Sequence, residues 1–279
     1  MYPKVLKSLA LQVPVLGRIV KERDHLRTEV QTISQERDRF RHAYEKAEVE
    51  KDDGYCHCCR STTTFEIKGD WLRDQYFCLN CFSIPRQRHI QHILDTFFPG
   101  WEEKTIHESS PSNKLVSQHC SAYTFSQYFP GVKAGDQVDG VRCENLESLS
   151  FADDSFDIFI TQDVLEHVFD PAKAVKEINR VLKPGGAHVF TAPKHKGVRL
   201  SYPRAQLRDG QIGYLMDAEY HGNPVGDGRA LVTWDYGDDF EALVGSWSGC
   251  PITTYITRDR GLGIDGEYLE VFVSRKKAS

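Results

Sequence analysis

The sequence predicts an α/β protein built on a doubly wound sheet, preceded by a small metal-binding module and an N-terminal helix. Three observations carry this expectation. From Lys104 onward, short β-rich runs alternate with helical patterns, the signature of a parallel sheet with crossover helices. Two C-x2-C pairs fall within residues 56–81. Residues 16–50 are charged and helix-favouring, without proline and without glycine after Gly17. The expected divisions are a helical segment over 1–53, a cysteine module with its linking helix over 54–100, and an α/β domain over 101–279.

The first element is the charged helix. Leu16, Ile19, Leu26, Val30, Ile33, Phe40 and Tyr44 recur at alternating three- and four-residue steps when Arg23 and Arg37 fill two seam positions. A coiled-coil homodimer is one reading, and a single helix lying on the protein's own body is the other. Lys51-Asp52-Asp53-Gly54 is expected to end the helix and open the cysteine module.

Cys56-His57-Cys58-Cys59 and Cys78-Leu79-Asn80-Cys81 place eighteen residues between two C-x2-C turns. Each turn points two thiolates at one tetrahedral ion, so Cys56, Cys59, Cys78 and Cys81 are the expected zinc ligands. A shell of four thiolates is closed, which makes the zinc structural, and His57 and Cys58 are spare. Arg60, Lys68, Arg73, Arg86 and Arg88 cluster near these cysteines and read as a solvated face. Pro85 then opens a helix over 86–97, with Ile90, Ile93, Leu94 and Phe97 on one side.

Within the α/β part, Phe156-Asp157-Ile158-Phe159-Ile160 fits a central strand buried on both faces. Asp170-Pro171 supplies an N-cap and an N1 proline. Ala174, Val175, Ile178, Val181 and Leu182 form the apolar side of the following helix. Lys183-Pro184-Gly185-Gly186 ends it, and Ala187–Thr191 is the next strand. This strand–helix–strand unit has a fixed right-handed sense. Asp238–Val244 reads as a later helix, and Ile252–Thr257 and Tyr268–Ser274 as the last two strands.

The stretch ENLESLSFADDSFDIFITQDVLEHVFDPAKAVKEINRVLKPGGAHVFTAP, Glu144 to Pro193, resembles the class I S-adenosylmethionine-dependent methyltransferases of small-molecule and sugar type. The resemblance implies a Rossmann-like sheet of seven strands with the last antiparallel. It also implies a ligand crevice at the carboxyl ends of the strands. Carried over residue by residue, Asn145 and Leu146 lie where the adenine is contacted. Thr161, Gln162 and Asp163 line the methionine moiety and the reacting centre. Glu166 and His167 are the family's "EH" pair, in which Glu166 reaches the pocket or His167 packs a helix.

The first loop departs from that family. Lys104–Glu108 should lead into Gly-x-Gly, yet the chain continues Glu108-Ser109-Ser110-Pro111-Ser112-Asn113, and no glycine stands between Gly100 and Gly131. Glu108, Ser109 and Ser110 are the cofactor-contacting candidates there. Tyr123–Gln127 fills the place of the usual ribose-binding acid. The resemblance also implies an acceptor site in the insertion over about 193–234. His221 and His195 are its general-base candidates, since neutral imidazole takes a hydroxyl proton near pH 7, with Asp163 the third catalytic candidate.

A net charge of −5 gives no global attraction to a polyanion. No run approaches the ~18 apolar residues of a membrane span. No compact apolar core with a small-residue cleavage site marks a secretory signal, so the cytoplasm is the expected compartment. Three functions compete: O-methylation of a hydroxylated small molecule or glycan-linked sugar, methylation of RNA gripped by the zinc module, and a non-catalytic scaffold with a degenerate cofactor loop.

Overall fold

The structure is a computed structural model that describes residues 14–46, 50–222 and 228–278. It divides into two compact units, Met1–Val49 and Glu50–Ser279. In the first, α1 (Pro14–Lys46) runs 33 residues, about 50 Å at 1.5 Å per residue. Ile19, Leu26, Val30 and Ile33 are more than half exposed along it. No helix among the described residues is long and apolar enough to cross a membrane.

The second unit begins with the cysteine module. Lys51-Asp52-Asp53-Gly54 belongs to a strand rather than to a helix stop. β1 (Lys51–Cys56) pairs antiparallel with β2 (Ser61–Ile67), from Lys51 opposite Glu66 to Cys56 opposite Ser61. The short helix α2 (Leu72–Gln75) leads to β3 (Tyr76–Cys78), which adds antiparallel to β2. Phe65, Tyr76, Leu115 and the buried cysteines make a small separate core.

α3 (Pro85–Phe97) starts on a proline at its first turn, where the missing N–H costs nothing. Its Ile90, Ile93 and Leu94 pack onto the central sheet. The linking helix is therefore a layer of the α/β sandwich, and the module and the sheet share one compact unit.

The central sheet has six strands: β4 (Ile106–Ser109), β5 (Tyr123–Ser126), β6 (Phe156–Gln162), β7 (Leu182–Thr191), β8 (Ile252–Tyr255) and β9 (Val271–Arg275). Their order is β8-β9-β7-β6-β4-β5. β5, β4, β6 and β7 are parallel neighbours, and β9 runs antiparallel to both β7 and β8. The fold is the expected doubly wound Rossmann-like α/β fold with an antiparallel strand near one edge. The strand count differs from seven. Beyond β5, the place of another strand is held only by an isolated parallel bridge between Gln127 and Cys143. The short Val141–Arg142 segment is instead spent on a hairpin with Gln137–Val138.

Alternation along the strands builds the two faces. Ile158, Ile160, Val189, Val271 and Val273 point toward α3. Phe159, Phe190 and Phe272 point toward α4 (Pro171–Val181) and α5 (Phe240–Ser248), joined by Phe156 from across the irregularity between Phe156 and Ile158. Asp170 caps α4 by accepting from Lys173 N at 3.0 Å. Lys183–Gly186 does not form a free turn. It bulges out of β7, because Leu182 pairs with Phe156 while Ala187 already pairs with Ile158. A methyl on Gly186 would lie 2.9 Å from the Asp157 carbonyl oxygen, which explains the glycine. The link from β4 to β5 carries only a 3-10 turn, Val116–Gln118, where a crossover helix is usual.

Candidate functional site

The four expected cysteines converge. The Sγ atoms of Cys56, Cys59, Cys78 and Cys81 all lie within 4.8 Å of one another, with 3.7 Å for Cys56–Cys81 and 3.9 Å for Cys59–Cys78. A tetrahedral ion with Zn–S bonds of about 2.3 Å requires S···S separations of roughly 3.8 Å. The donor set and its spacing thus fit zinc. Cys58 is buried beside the set, and His57 turns away to Asp95 Oδ2 at 2.7 Å and His92 Nδ1 at 3.1 Å.

The solvated-face reading holds for Arg60 and Lys68, which are exposed, but not for Arg73, Arg86 and Arg88. Arg88 is fully buried, gives Nε to Gly263 O at 2.8 Å and Nη2 to Tyr76 O at 2.9 Å, and stacks over Phe65 and Tyr76. Burial lowers its pKa from the usual guanidinium value. Arg73, 4% exposed, donates to Asp163 Oδ2 at 2.5 Å. Arg86 approaches the same oxygen at 3.5 Å and also pairs with Asp74. The charge clustering near the cysteines was a usable signal, but the apolar surroundings that bury these two side chains come from residues distant in the sequence.

Asp163 therefore sits at the carboxyl end of β6 as an ion-pair centre. Burial pushes its carboxyl up, but the Arg73 and Arg86 charges outweigh this and hold it at about 2. It is a poor proton acceptor near neutrality. Its other oxygen accepts from Thr191 Oγ1 at 2.8 Å, and its φ of 52° is left-handed, which turns the chain sharply off the strand.

On the neighbouring strand, Glu108 is wholly buried. It accepts from Tyr123 OH at 2.7 Å and from Gln162 Nε2 at 2.6 Å. Burial raises its carboxyl to about 7, with these two donors working in the opposite direction. Gln162 Oε1 is buried with no partner, an acceptor in want of a donor. Ser109 continues β4, and Ser110 takes φ 53°, the left-handed conformation that favours glycine. The following loop is tied to α3. Gln87 Nε2 donates to Ser112 Oγ at 3.0 Å, and Asn113 Nδ2 donates to Gln87 Oε1 at 2.9 Å.

The other cofactor candidates are placed differently. Asn145 Oδ1 accepts from Glu147 N at 2.9 Å, a local turn. Leu146 is buried in the core beneath α4. Thr161 spends its hydroxyl on His188 Nε2 at 2.9 Å inside the sheet. For Leu146 and Thr161, only the backbone is left for a ligand.

Beyond Asp163 the chain forms a 3-10 turn, Leu165–His167. Glu166 is 1% exposed, and neither carboxylate oxygen has a hydrogen-bond partner. Burial, reinforced by the Asp163 charge, raises its pKa well above the carboxylate range, so it is held as the neutral acid. His167 donates Nδ1–H to Leu231 O at 2.8 Å, because a carbonyl only accepts, and this leaves the lone pair on Nε2. Burial lowers its pKa, which favours the neutral ring. His221, on the short strand Tyr220–Gly222, meets His167 edge-on at 5.2 Å between ring centroids. Glu166, His167 and His221 can each bring a ligand atom within 4.8 Å of the others. The insertion is latched here by Thr233, whose N donates to Glu166 O at 2.7 Å and whose Oγ1 donates to Val168 O at 2.6 Å. Asn223 and Pro224 lie outside the described residues.

His195 stands apart from that pair. Its Nε2 is 3.6 Å from Asp235 Oδ1, and its ring lies 5.8 Å from Tyr268. Tyr268 also meets Trp71 at 6.0 Å and lies under the Arg73 guanidinium at 5.9 Å. Trp71, Arg73 and Tyr268 were not singled out from the sequence as site residues.

Residues 115–190 match the methyltransferase domain family. A dimethylglycine N-methyltransferase of Parasynechococcus marenigrum is 34% identical over 94 residues, which is 33% of this chain and 31% of that one. A ubiquinone biosynthesis O-methyltransferase of Parvibaculum lavamentivorans is 39% identical over 82 residues, 28% of this chain and 32% of that one. An uncharacterized 37.1 kDa protein in a Streptomyces fradiae transposon is 28% identical over 142 residues, 50% and 40% of the two chains. The chain thus spans well under half the length of these relatives. Among solved structures, an S-adenosylmethionine-dependent methyltransferase from Mesorhizobium loti aligns over 67% of this chain and 98% of its own, with 16% identity and a TM-score of 0.44. The matched sequence segments support an S-adenosylmethionine-dependent methyltransferase.

Proposed function

We propose that this chain methylates an oxygen nucleophile on a hydroxylated small molecule or glycan-linked sugar, using S-adenosylmethionine. The observation that carries the reading is the row of polar groups at the carboxyl ends of adjacent parallel strands: Glu108 near the end of β4, Gln162 at the end of β6 and Asp163 just after it. This is where ligands bind in open α/β sheets.

The residues fit the cofactor. Glu108 is a buried acceptor for hydroxyl groups, Gln162 has an unpartnered carbonyl oxygen, and Ser109 and Ser110 are small enough for close backbone approach. Asn145 and Leu146 flank the adenine side, while Thr161, Gln162 and Asp163 flank the methionine side. S-adenosylmethionine supplies an electrophilic methyl group, transferred by in-line displacement.

The remaining task falls to the chain's own groups: to align the acceptor, exclude water and remove its proton. His221 takes that proton, oriented by the neutral His167 and Glu166 beside it. His195, beside Asp235 and Tyr268, is the alternative base. Asp163 acts by fixing Arg73 and Arg86, not as a base. Zinc on Cys56, Cys59, Cys78 and Cys81 holds the module from which Arg73 reaches the site. The inward turn of Arg73 and Arg88 supports a small acceptor over a polyanion.

Calorimetric titration of zinc-replete protein with S-adenosylmethionine and S-adenosylhomocysteine tests this reading. Micromolar binding is expected. Binding of neither would overturn the enzyme assignment in favour of a scaffold.

A further inference from the structure

The exposed apolar stripe of α1 is independent of the crevice and of the methyl-transfer reading. Ile19 (56%), Leu26 (53%), Val30 (65%) and Ile33 (64%) are exposed large side chains on a helix that is otherwise charged. A stripe of this kind is stable in water only when covered.

We propose that a second copy of this chain covers it, forming a parallel, in-register, two-stranded coiled coil. The heptad frame puts Leu16, Arg23, Val30, Arg37 and Tyr44 at a, and Ile19, Leu26, Ile33 and Phe40 at d. The flanks of this seam carry opposite charges. The g positions hold Glu22, Glu29 and Glu36, and the e positions hold Arg27, Ser34 and Arg41 after Val20. In a parallel pair each g residue faces the e residue five places on in the other helix. Glu22 then meets Arg27 of the second copy. An antiparallel pair sets g against g and e against e, which places Glu against Glu and Arg against Arg. The charge pattern selects the parallel arrangement.

Arg23 and Arg37 set the strand number. At the a positions of a two-stranded coil a long cationic side chain reaches water past the seam, whereas a third helix would enclose it. Shifting one helix by a heptad would set one Glu22 against Ser34 and the other against Val20, so the flanking charges fix the register.

Sedimentation of the full zinc-replete chain at micromolar concentration should give twice the chain mass. The double variant Leu26→Asp/Ile33→Asp should sediment as a monomer with unchanged zinc content and unchanged melting of the α/β unit. Glu22→Arg and Arg27→Glu should each weaken self-association by roughly tenfold or more. Mixed together, those two variants should recover a heterodimer, because every flank pair becomes complementary again. A wild-type monomer, a trimer, a dimer that survives Leu26→Asp/Ile33→Asp, or no recovery on mixing would each overturn the proposal.

Discussion

Arg73 of the cysteine module and Asp163 at the end of β6, ninety residues apart, are joined by a 2.5 Å ion pair in which Arg73 is buried and Asp163 largely so. The module is thereby fastened to the carboxyl end of β6. Removing one member of such a pair strands the other charge, at about 3 kcal/mol or more. Arg73→Met should lower the unfolding free energy by that amount, read as a lower urea midpoint with little change in slope. Arg73→Met/Asp163→Asn should recover part of the loss, and strictly additive losses would show that the two residues do not act together.

Zinc should be found at one ion per chain by atomic absorption. Binding to four thiolates also supplies folding free energy to a segment with a very small core of its own. Chelation, or Cys78→Ser, is expected to lower the melting temperature and to weaken S-adenosylhomocysteine binding in parallel, since Arg73 loses its anchorage. A zinc-free chain that melted and bound as the loaded one does would rule out this coupling.

Glu108 has a distinctive pH signature. Its folded pKa of about 7 lies above the ordinary carboxylate value, so its contribution to stability is complete below about pH 4.5 and is lost as pH rises through 7. At pH 8 the cost of its buried charge is on the order of 3 kcal/mol. Glu108→Gln should therefore stabilise the ligand-free chain at pH 8 and leave it unchanged at pH 4. With S-adenosylhomocysteine, affinity should rise with pH across 7 in the parent and be flat in the variant, as read by calorimetry in buffers of different ionisation enthalpy.

Two buried histidines act in the opposite direction. His107, hydrogen-bonded to Thr124 and Ser126, and His188, bonded to Thr161, are held neutral by burial with pKa values of about 3. These are depressed values, so the stabilisation is present above the unfolded value of about 6.5 and is lost as pH falls toward 3. Each accounts for up to about 5 kcal/mol over that window. His188→Gln should flatten the acid limb of the stability curve, whatever its cost at pH 8. An acid limb of undiminished slope would place the proton uptake elsewhere.

Much of this fold is written locally. The run Phe156–Ile160, the Asp170-Pro171 cap and the face Ala174–Leu182 are short-range patterns that periodicity and capping chemistry expose directly. The cysteine spacing is equally local, and its four thiols meet. What the sequence conceals is burial determined by distant partners. Arg73 and Arg88 read as surface charges until Asp163 and Gly263 are folded against them. Asp163 reads as a candidate base until two guanidiniums surround it. The bulged Lys183–Gly186 reads as a turn because its proline and glycines are turn residues, and only pairing with Phe156 and Ile158 shows the strand continuing past them.

The order of the strands also bears on how the chain is made. β9 is synthesised after β7 and β8, yet it lies between them. Until Val271–Arg275 has emerged, Phe190 and its neighbours present a row of open backbone donors and acceptors beside an aromatic face. During elongation the nascent sheet is thus an adhesive edge for more than seventy residues after Thr191. Slow translation of that interval would lengthen the exposure and favour aggregation, so the yield of folded protein should depend on chaperone supply more strongly than its final stability suggests.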